Sequence, residues 1–179
     1  MMLSEDKLEA DRFICKFSEL MRKTLHHSDK ITYTLKDEIE YIENFIQLQK
    51  IRYCNRFDYL IDINANVKEN MLVPKHFLYT YVENSIKHGL SKKNRDGLLK
   101  IYAYSKKNST LFTIEDNGSG INKSEVMKPN STGNGLVIMQ HIFNLYSRIT
   151  GKKISHSITD ILDNESKKCG VKVEIILSN

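Results

Sequence analysis

Four side chains in one nine-residue stretch could meet a metal ion or a phosphate: Glu83, Asn84, Lys87 and His88 of "VENSIKHGL". A carboxylate and an amide offer hard oxygen donors of the kind Mg²⁺ takes. A lysine and a histidine offer positive charge or hydrogen bonds to phosphate oxygens. Two glycine-containing stretches follow. Asp116-Asn117-Gly118-Ser119-Gly120 stands at the end of an apolar, β-branched run, where an aspartate can accept a hydrogen bond from an exocyclic amine. Ser131-Thr132-Gly133-Asn134-Gly135-Leu136 leads into a helical pattern, where backbone N–H groups freed by glycine can bind an anion. Each has a plainer reading when taken singly. The first could be a surface Glu–Lys pair on an amphipathic helix. The second could be an Asn-Gly turn. The third could be a loop with a cap at Asn134.

The elements that must position these residues can be read from periodicity. Leu8, Phe13, Ile14, Phe17, Leu20, Met21 and Leu25 predict a helix from Ser4 to about Leu25, with Ser4, Glu5 and Asp6 at its start. Thr34-Leu35-Lys36-Asp37 has the form of a capping box opening a second helix, whose apolar face runs through Ile39, Ile42, Phe45 and Ile46 to Tyr53. Alternation in "DYLIDINANV" predicts a strand. Pro74 and Gly89 read as the first turn and the end of a helix carrying the polar cluster. On that helix Leu78, Val82, Ser85 and Ile86 fall on the side to be buried. Glu83 stacks with Lys87 at i and i+4 on the far side, and Asn84 with His88 on the flank. "LLKIYAYS" and "TLFTIED" predict a hairpin around Lys107-Asn108. "GLVIMQHIFNLYSRIT" predicts a helix with Leu136, Met139, Ile142, Phe143 and Tyr146 on one face. "ISHSITDIL" and "VKVEIILS" predict two closing strands. This order gives an α+β fold: a two-layer α/β sandwich with a mixed, largely antiparallel sheet, helices on one face, and a helical segment in front. The division expected is a helical segment over 1–56 and a sandwich domain over 57–179.

Composition narrows the function classes. The 179 residues allow one domain with a real core plus an appendage, and no run approaches the roughly 20 apolar residues of a membrane helix. The first residues, "MMLSEDKLEAD", are too acidic for a signal peptide. Cys15, Cys54 and Cys169 are far apart and make no CxxC, as in a chain with reduced thiols. The net charge of +5 is spread over Lys92-Lys93, Lys106-Lys107, Lys152-Lys153 and Lys167-Lys168, all near predicted turns, which argues for solvated turns and against a nucleic-acid surface.

Taken together, a polar helix, then D-x-G-x-G after a strand, then G-x-G-L before a helix resemble the ATP-binding domain shared by gyrase, MutL and sensor histidine kinases, the Bergerat or GHKL fold. Within it, "VENSIKHG", "EDNGSGI", "TGNGL", "LKDEIEYIENFIQLQKIRY" and "FSELMRKTL" resemble the LytS-type sensor histidine kinases over nearly the whole chain. The resemblance implies ATP and Mg²⁺ as cofactors. Asn84 would be the metal ligand. Glu83 would orient or activate the acceptor, or a water of the metal shell. Lys87 and His88 would face the phosphates or the lid. Asp116 would accept the adenine amine beside Asn117, with Gly118 and Gly120 leaving room for the base. Ile121, Thr132, Gly133, Asn134, Gly135 and Leu136 would complete the nucleotide contacts, and Ile121 to Thr132 would be an ATP lid, disordered without nucleotide.

It also implies a response regulator as partner, a homodimeric parent, and a cytoplasmic position beneath a parent held in the inner or plasma membrane by upstream segments. This chain departs from the family at Tyr79, Thr80 and Tyr81, where Gln, Pro and Leu are usual, a change expected to touch packing more than chemistry. It also lacks the family's N-P-H-F-L-F-N phospho-acceptor motif. His26 and His27 lie on the wrong helix for it, so the chain is expected to be a fragment unable to phosphorylate itself. Phe13, Phe17, Leu20 and Met21 are the expected contacts of the first helix, with a second copy or with the ATPase domain. An anti-sigma-type serine kinase, or a nucleotide-sensing module without transfer activity, would use similar boxes. The two leading helices disfavour the former. Intact Glu83, Asn84 and Asp116 disfavour the latter.

Overall fold

The computed structural model describes residues 13–18, 21, 31–121 and 133–178. Residues 13–18 and 21 are helical, as the apolar spacing predicts. The ends of that predicted helix, Leu20, His26 and His27 lie outside the described residues, as do residues 122–132 of the expected lid. Phe13, Phe17 and Met21 are 37%, 46% and 45% exposed, and Lys16 donates a hydrogen bond to Gln47.

Strand β1 (Thr32–Thr34) runs straight into helix α1 (Leu35–Arg52). The capping box forms as read: Thr34 Oγ1 accepts from the Asp37 N–H at 3.1 Å, and Asp37 Oδ2 accepts from the Thr34 N–H at 3.2 Å. Strand β2 (Phe57–Ile63) follows, then β3 (Leu72–Pro74), which pairs antiparallel with β1. These two three-residue strands were not expected. They also correct the reading of Pro74, which ends a strand. Pro74 lacks an N–H, which a strand end tolerates. The chain then turns through His76 at φ +61°, and helix α2 starts only at Tyr79. It spans Tyr79–Asn84, continues as a π-helical turn over Ser85–Gly89, and closes with a 3₁₀ turn over Leu90–Lys92.

Strands β4 (Gly97–Lys106) and β5 (Ser109–Asp116) form the expected hairpin. Helix α3 (Gly133–Thr150) precedes β6 (Ile154–Leu162) and β7 (Lys168–Ser178). The main sheet has the order β2-β4-β5-β7-β6, parallel only between β2 and β4. Its inner face carries Leu99, Ile101, Ala103, Phe112, Ile114, Val173, Ile175 and Leu177. The other face carries cross-strand charge, with Lys172 bridging Glu115 and Glu174. One-sided burial of this kind is the alternation of a two-layer sandwich.

Helices α1, α2 and α3 share one core with the sheet. Leu35, Ile42 and Ile46 of α1, Val82 of α2, and Met139, Phe143 and Tyr146 of α3 are all buried. Fully burying one such aliphatic side chain is worth roughly 1.5–3 kcal/mol. The Tyr146 hydroxyl also donates to the Leu72 carbonyl at 2.9 Å, tying α3 to β3. Among the described residues no helix is long and apolar enough to cross a membrane.

Candidate functional site

The end of β5 meets the end of the α2 segment around one carboxylate. Asp116 is 2% exposed. Burial pushes its pKa up, countered by hydrogen bonds from Ser85 and from the Gly118 and Val171 backbone, and by the charge of Lys93. The Gly118 N–H lies 2.9 Å from Asp116 Oδ1. Ser85 reaches Asp116 because it is on the buried side of the helix, as the periodicity predicts.

Glycine makes this junction possible. A Cβ on Gly118 would sit 2.6 Å from Gly89 Cα and 2.8 Å from Asp116 Oδ1. One on Gly89 would sit 2.9 Å from the same oxygen, and one on Gly170 1.9 Å from the Asp116 carbonyl oxygen. Helix and strand-end backbones therefore touch directly over the carboxylate. The π-helical turn delivers Gly89 there by widening the helix after Asn84, and such turns recur at functional sites. Sequence reasoning missed Ser85, Gly89 and Gly170 as parts of the site. Gly89 read as a helix end, and Gly170 lies 54 residues from Asp116 by numbering.

The remaining residues of the second box hold the loop. Asn117 Oδ1 accepts from the Leu98 N–H at 2.8 Å, and its Nδ2 donates to the Asp96 carbonyl at 2.8 Å, so its amide is spent on the start of β4. Gly120 is at φ +76°, and a Cβ there would lie 2.7 Å from Lys168 Cβ and 2.9 Å from Asp160 Oδ1. Protein atoms thus fill the space beside both Gly118 and Gly120. Ile121 is pinned at both ends of its peptide: its N–H donates to Asp160 Oδ1 at 2.6 Å, and its carbonyl accepts from Lys168 Nζ at 2.8 Å. Lys168 and Asp160 pair at 2.7 Å. The β6–β7 hairpin therefore fixes the point where the chain departs into residues 122–132.

On the helix, Glu83 and Asn84 are half-buried, Lys87 is exposed and His88 half-buried. Glu83 and Lys87 form no ion pair with each other, and the Asn84 amide has no hydrogen-bond partner among the described residues. A half-buried amide with its oxygen uncommitted suits a single oxygen ligand to Mg²⁺, an ion that keeps several waters and borrows phosphate oxygens. Among the described residues no three His, Cys, Asp or Glu side chains cluster.

Helix α3 begins at Gly133, so it opens two residues before the Gly135 start expected from the sequence, and Gly133, Asn134 and Gly135 lie in its first turn. Gly135 faces Thr80 of α2, with 3.6 Å from a built Cβ to Thr80 Cγ2, which brings the third box beside the helix that carries the first. Leu136 packs partly buried against the core. Thr132 lies outside the described residues.

The three departures from the usual sequence are packing residues. Tyr79 rests edge-on to Tyr41 and Phe45. Thr80 Oγ1 donates to the His76 carbonyl at 3.1 Å. Tyr81 is buried, and its hydroxyl has no partner among the described residues.

A family model described as Histidine kinase matches residues 1–57. The sensor protein LytS of Staphylococcus epidermidis (strain ATCC 12228 / FDA PCI 1200) is 28% identical over 96% of this chain and 29% of its own length. The chain thus spans less than a third of that relative. The catalytic domain of histidine kinase ThkA matches with a TM-score of 0.52 at 15% identity, covering 82% of this chain and 93% of that one. Histidine kinase ThkA in complex with response regulator protein TrrA matches with a TM-score of 0.50 at 16% identity, over 92% of this chain and 48% of that one. The fold is that of the GHKL histidine-kinase catalytic domains.

Proposed function

Because the chain is a relative of LytS-type sensor histidine kinases, we propose that it is the ATP-binding part of one, acting with Mg²⁺ to send a γ-phosphoryl group to a histidine outside this chain. The observation that carries this reading is the buried carboxylate of Asp116, seated under the Gly89–Gly118 contact at the end of the helix that carries Asn84. Bound Mg-ATP would supply the transferable phosphoryl group and the cation that neutralises its charge.

The protein's share is placement. Asp116 accepts a hydrogen bond from the adenine amine with its remaining acceptor capacity. Asn84 offers its amide oxygen to the metal. Glu83 orients the incoming acceptor or a water of the metal shell. Lys87 and His88 face the phosphates, and the backbone at Gly133 and Gly135 approaches them. No covalent nucleophile is needed in such a domain. In this reading residues 1–56 descend from the dimerisation region and 57–179 from the ATPase, although α1 shares the core of the latter. The intact parent is a homodimer anchored in the membrane by other segments, with this part in the cytoplasm, and it hands phosphate to a response regulator. Titration calorimetry tests the reading. Heat on adding ATP that depends on magnesium, and that shrinks to the magnesium-free value in Asn84→Ala, supports it. Absence of any heat with ATP or a non-hydrolysable analogue refutes it.

A further inference from the structure

Helix α2 carries Glu83 and Asn84 but has no N-cap of its own. The residue before it is Leu78, whose side chain accepts nothing, and the first turn contains no acid. The first N–H groups of a helix have no intrahelical partner, and an oxygen must be found for them. Here it comes from 40 residues upstream, by numbering, on another helix. Glu38 of α1 is 0% exposed. Its Oε1 accepts from the Leu78 N–H at 2.9 Å and the Tyr79 N–H at 3.0 Å, and its Oε2 accepts from the His76 N–H at 3.1 Å. The Tyr33 hydroxyl oxygen lies 3.1 Å from the same His76 N–H. Tyr41, Tyr79 and His76 close over the site as a ring cluster, with centroids 4.7–5.4 Å apart.

We propose that Glu38 is a positioning residue for the nucleotide site: it stands in for the missing cap of α2, so that where α1 lies sets where Glu83 and Asn84 point. This rests on the functional reading above. Two further observations make the link mechanical. His76 holds φ +61°, a conformation that costs a non-glycine residue and persists only when its surroundings enforce it. The bonds from its N–H to Glu38 and Tyr33 are that enforcement, so releasing them frees the turn that starts α2. Upstream, Lys16 binds Gln47 of α1, and β1 enters the fold by pairing with β3, two residues before His76. A shift of the upstream helix therefore has a direct hydrogen-bonded route to the start of α2 through Glu38. A rigid helix advances about 1.5 Å per residue, and a displacement of that size separates a carboxylate from three N–H groups at hydrogen-bond distance.

The test compares the chain with Glu38→Gln, which keeps the side-chain volume but turns one acceptor oxygen into a donor. Ile175→Val serves as a control that softens the shared core without removing a hydrogen bond at the start of α2. Hydrogen exchange is followed at Leu78 and Tyr79 and at the β4–β5 ladder, and Mg-ATP affinity is measured by calorimetry well below the unfolding temperature. Glu38→Gln is expected to speed exchange at Leu78 and Tyr79 by at least roughly tenfold while the ladder keeps its protection, and to weaken Mg-ATP by roughly tenfold. Ile175→Val is expected to lower thermal stability and leave both readouts unchanged. Unchanged exchange and affinity in folded Glu38→Gln overturn the proposal. Should that variant not fold, the parent chain decides: Leu78 and Tyr79 amides protected like the ladder uphold the proposal, and amides exchanging like exposed loops overturn it. If the parent binds no nucleotide, the functional reading fails, and the exchange result still judges the hold of Glu38 on α2.

Discussion

Glu38 and His76 face each other across the turn that starts α2, and their titrations oppose. Burial raises the Glu38 carboxyl from 4.5 to about 7, against the three backbone N–H groups that favour its ionised form. Burial, aided by Lys75, lowers His76 from 6.5 to about 4. Between pH 4.5 and 7 the folded chain holds the Glu38 proton more tightly than the unfolded chain. The stability this gives is complete below pH 4.5 and is lost as pH rises to 7. Between pH 4 and 6.5 the unfolded chain protonates His76 more readily. The stability this gives is complete above pH 6.5 and is lost as pH falls to 4. Each shift, at 1.36 kcal/mol per pKa unit, amounts to something on the order of 3 kcal/mol. Among the described residues Tyr33 of β1, Tyr41 of α1, Tyr79 of α2 and Lys75 face the pair, and Glu83 acts on Tyr79 from the far side.

In the parent chain the two slopes cancel over most of the range. Removing one partner exposes the other. Glu38→Gln should gain about 3 kcal/mol from pH 4 to 6.5 relative to the parent. His76→Asn, whose side chain tolerates the left-handed backbone, should lose about that much from pH 4.5 to 7. Urea unfolding at fixed ionic strength reads both. With a slope of about 2 kcal/mol per molar, each change moves the midpoint by about 1.5 M. If both variants follow the parent's profile within a few tenths molar, the two groups do not titrate as burial requires, and the described turn is wrong.

The buried Tyr81 hydroxyl lacks a partner among the described residues, so Tyr81→Phe should raise unfolding free energy by about 1 kcal/mol and leave nucleotide affinity unchanged. Gly118→Ala forces a Cβ to 2.6 Å from Gly89 Cα and should cost about 1–3 kcal/mol, readable as a lowered urea midpoint. Among the described residues Gly135→Ala meets only Thr80 Cγ2, at 3.6 Å, in the first turn of α3 and should stabilise by roughly 0.5–1 kcal/mol, while a loss of Mg-ATP affinity there would mark the backbone as a phosphate contact.

Much of this architecture was legible because it is local. The Thr34–Asp37 capping box is closed within four residues. The buried set of α3 follows from 3.6-residue spacing, and the β4–β5 hairpin from alternation around Lys107-Asn108. The buried Ser85 and Ile86 of the first box were predicted by the same arithmetic. The rest depends on partners distant in sequence. Strands β1 and β3 are three residues each, too short to show alternation, and each exists because the other pairs with it. Pro74 satisfies the rule for a helix start equally well as the rule for a strand end, and only its pairing with Thr32 decides. The π-helical turn has no sequence signature here, yet it sets Gly89 against Gly118. The grip of Glu38 on α2 was invisible for the same reason. A glutamate in the first turn of a capped helix reads as a surface acid until the N–H groups that it serves are seen.

The central claim is that Asp116 reads an adenine amine, and base discrimination tests it most directly. A buried acceptor built for an N–H group rejects an analogue that lacks one, because the carboxylate is then left facing an oxygen. Calorimetry with Mg-ATP and Mg-ITP should give at least a hundredfold preference for ATP, and Asp116→Asn should narrow that preference by weakening ATP. Equal affinity of the parent for the two nucleotides, or an undiminished preference in Asp116→Asn, would contradict the account.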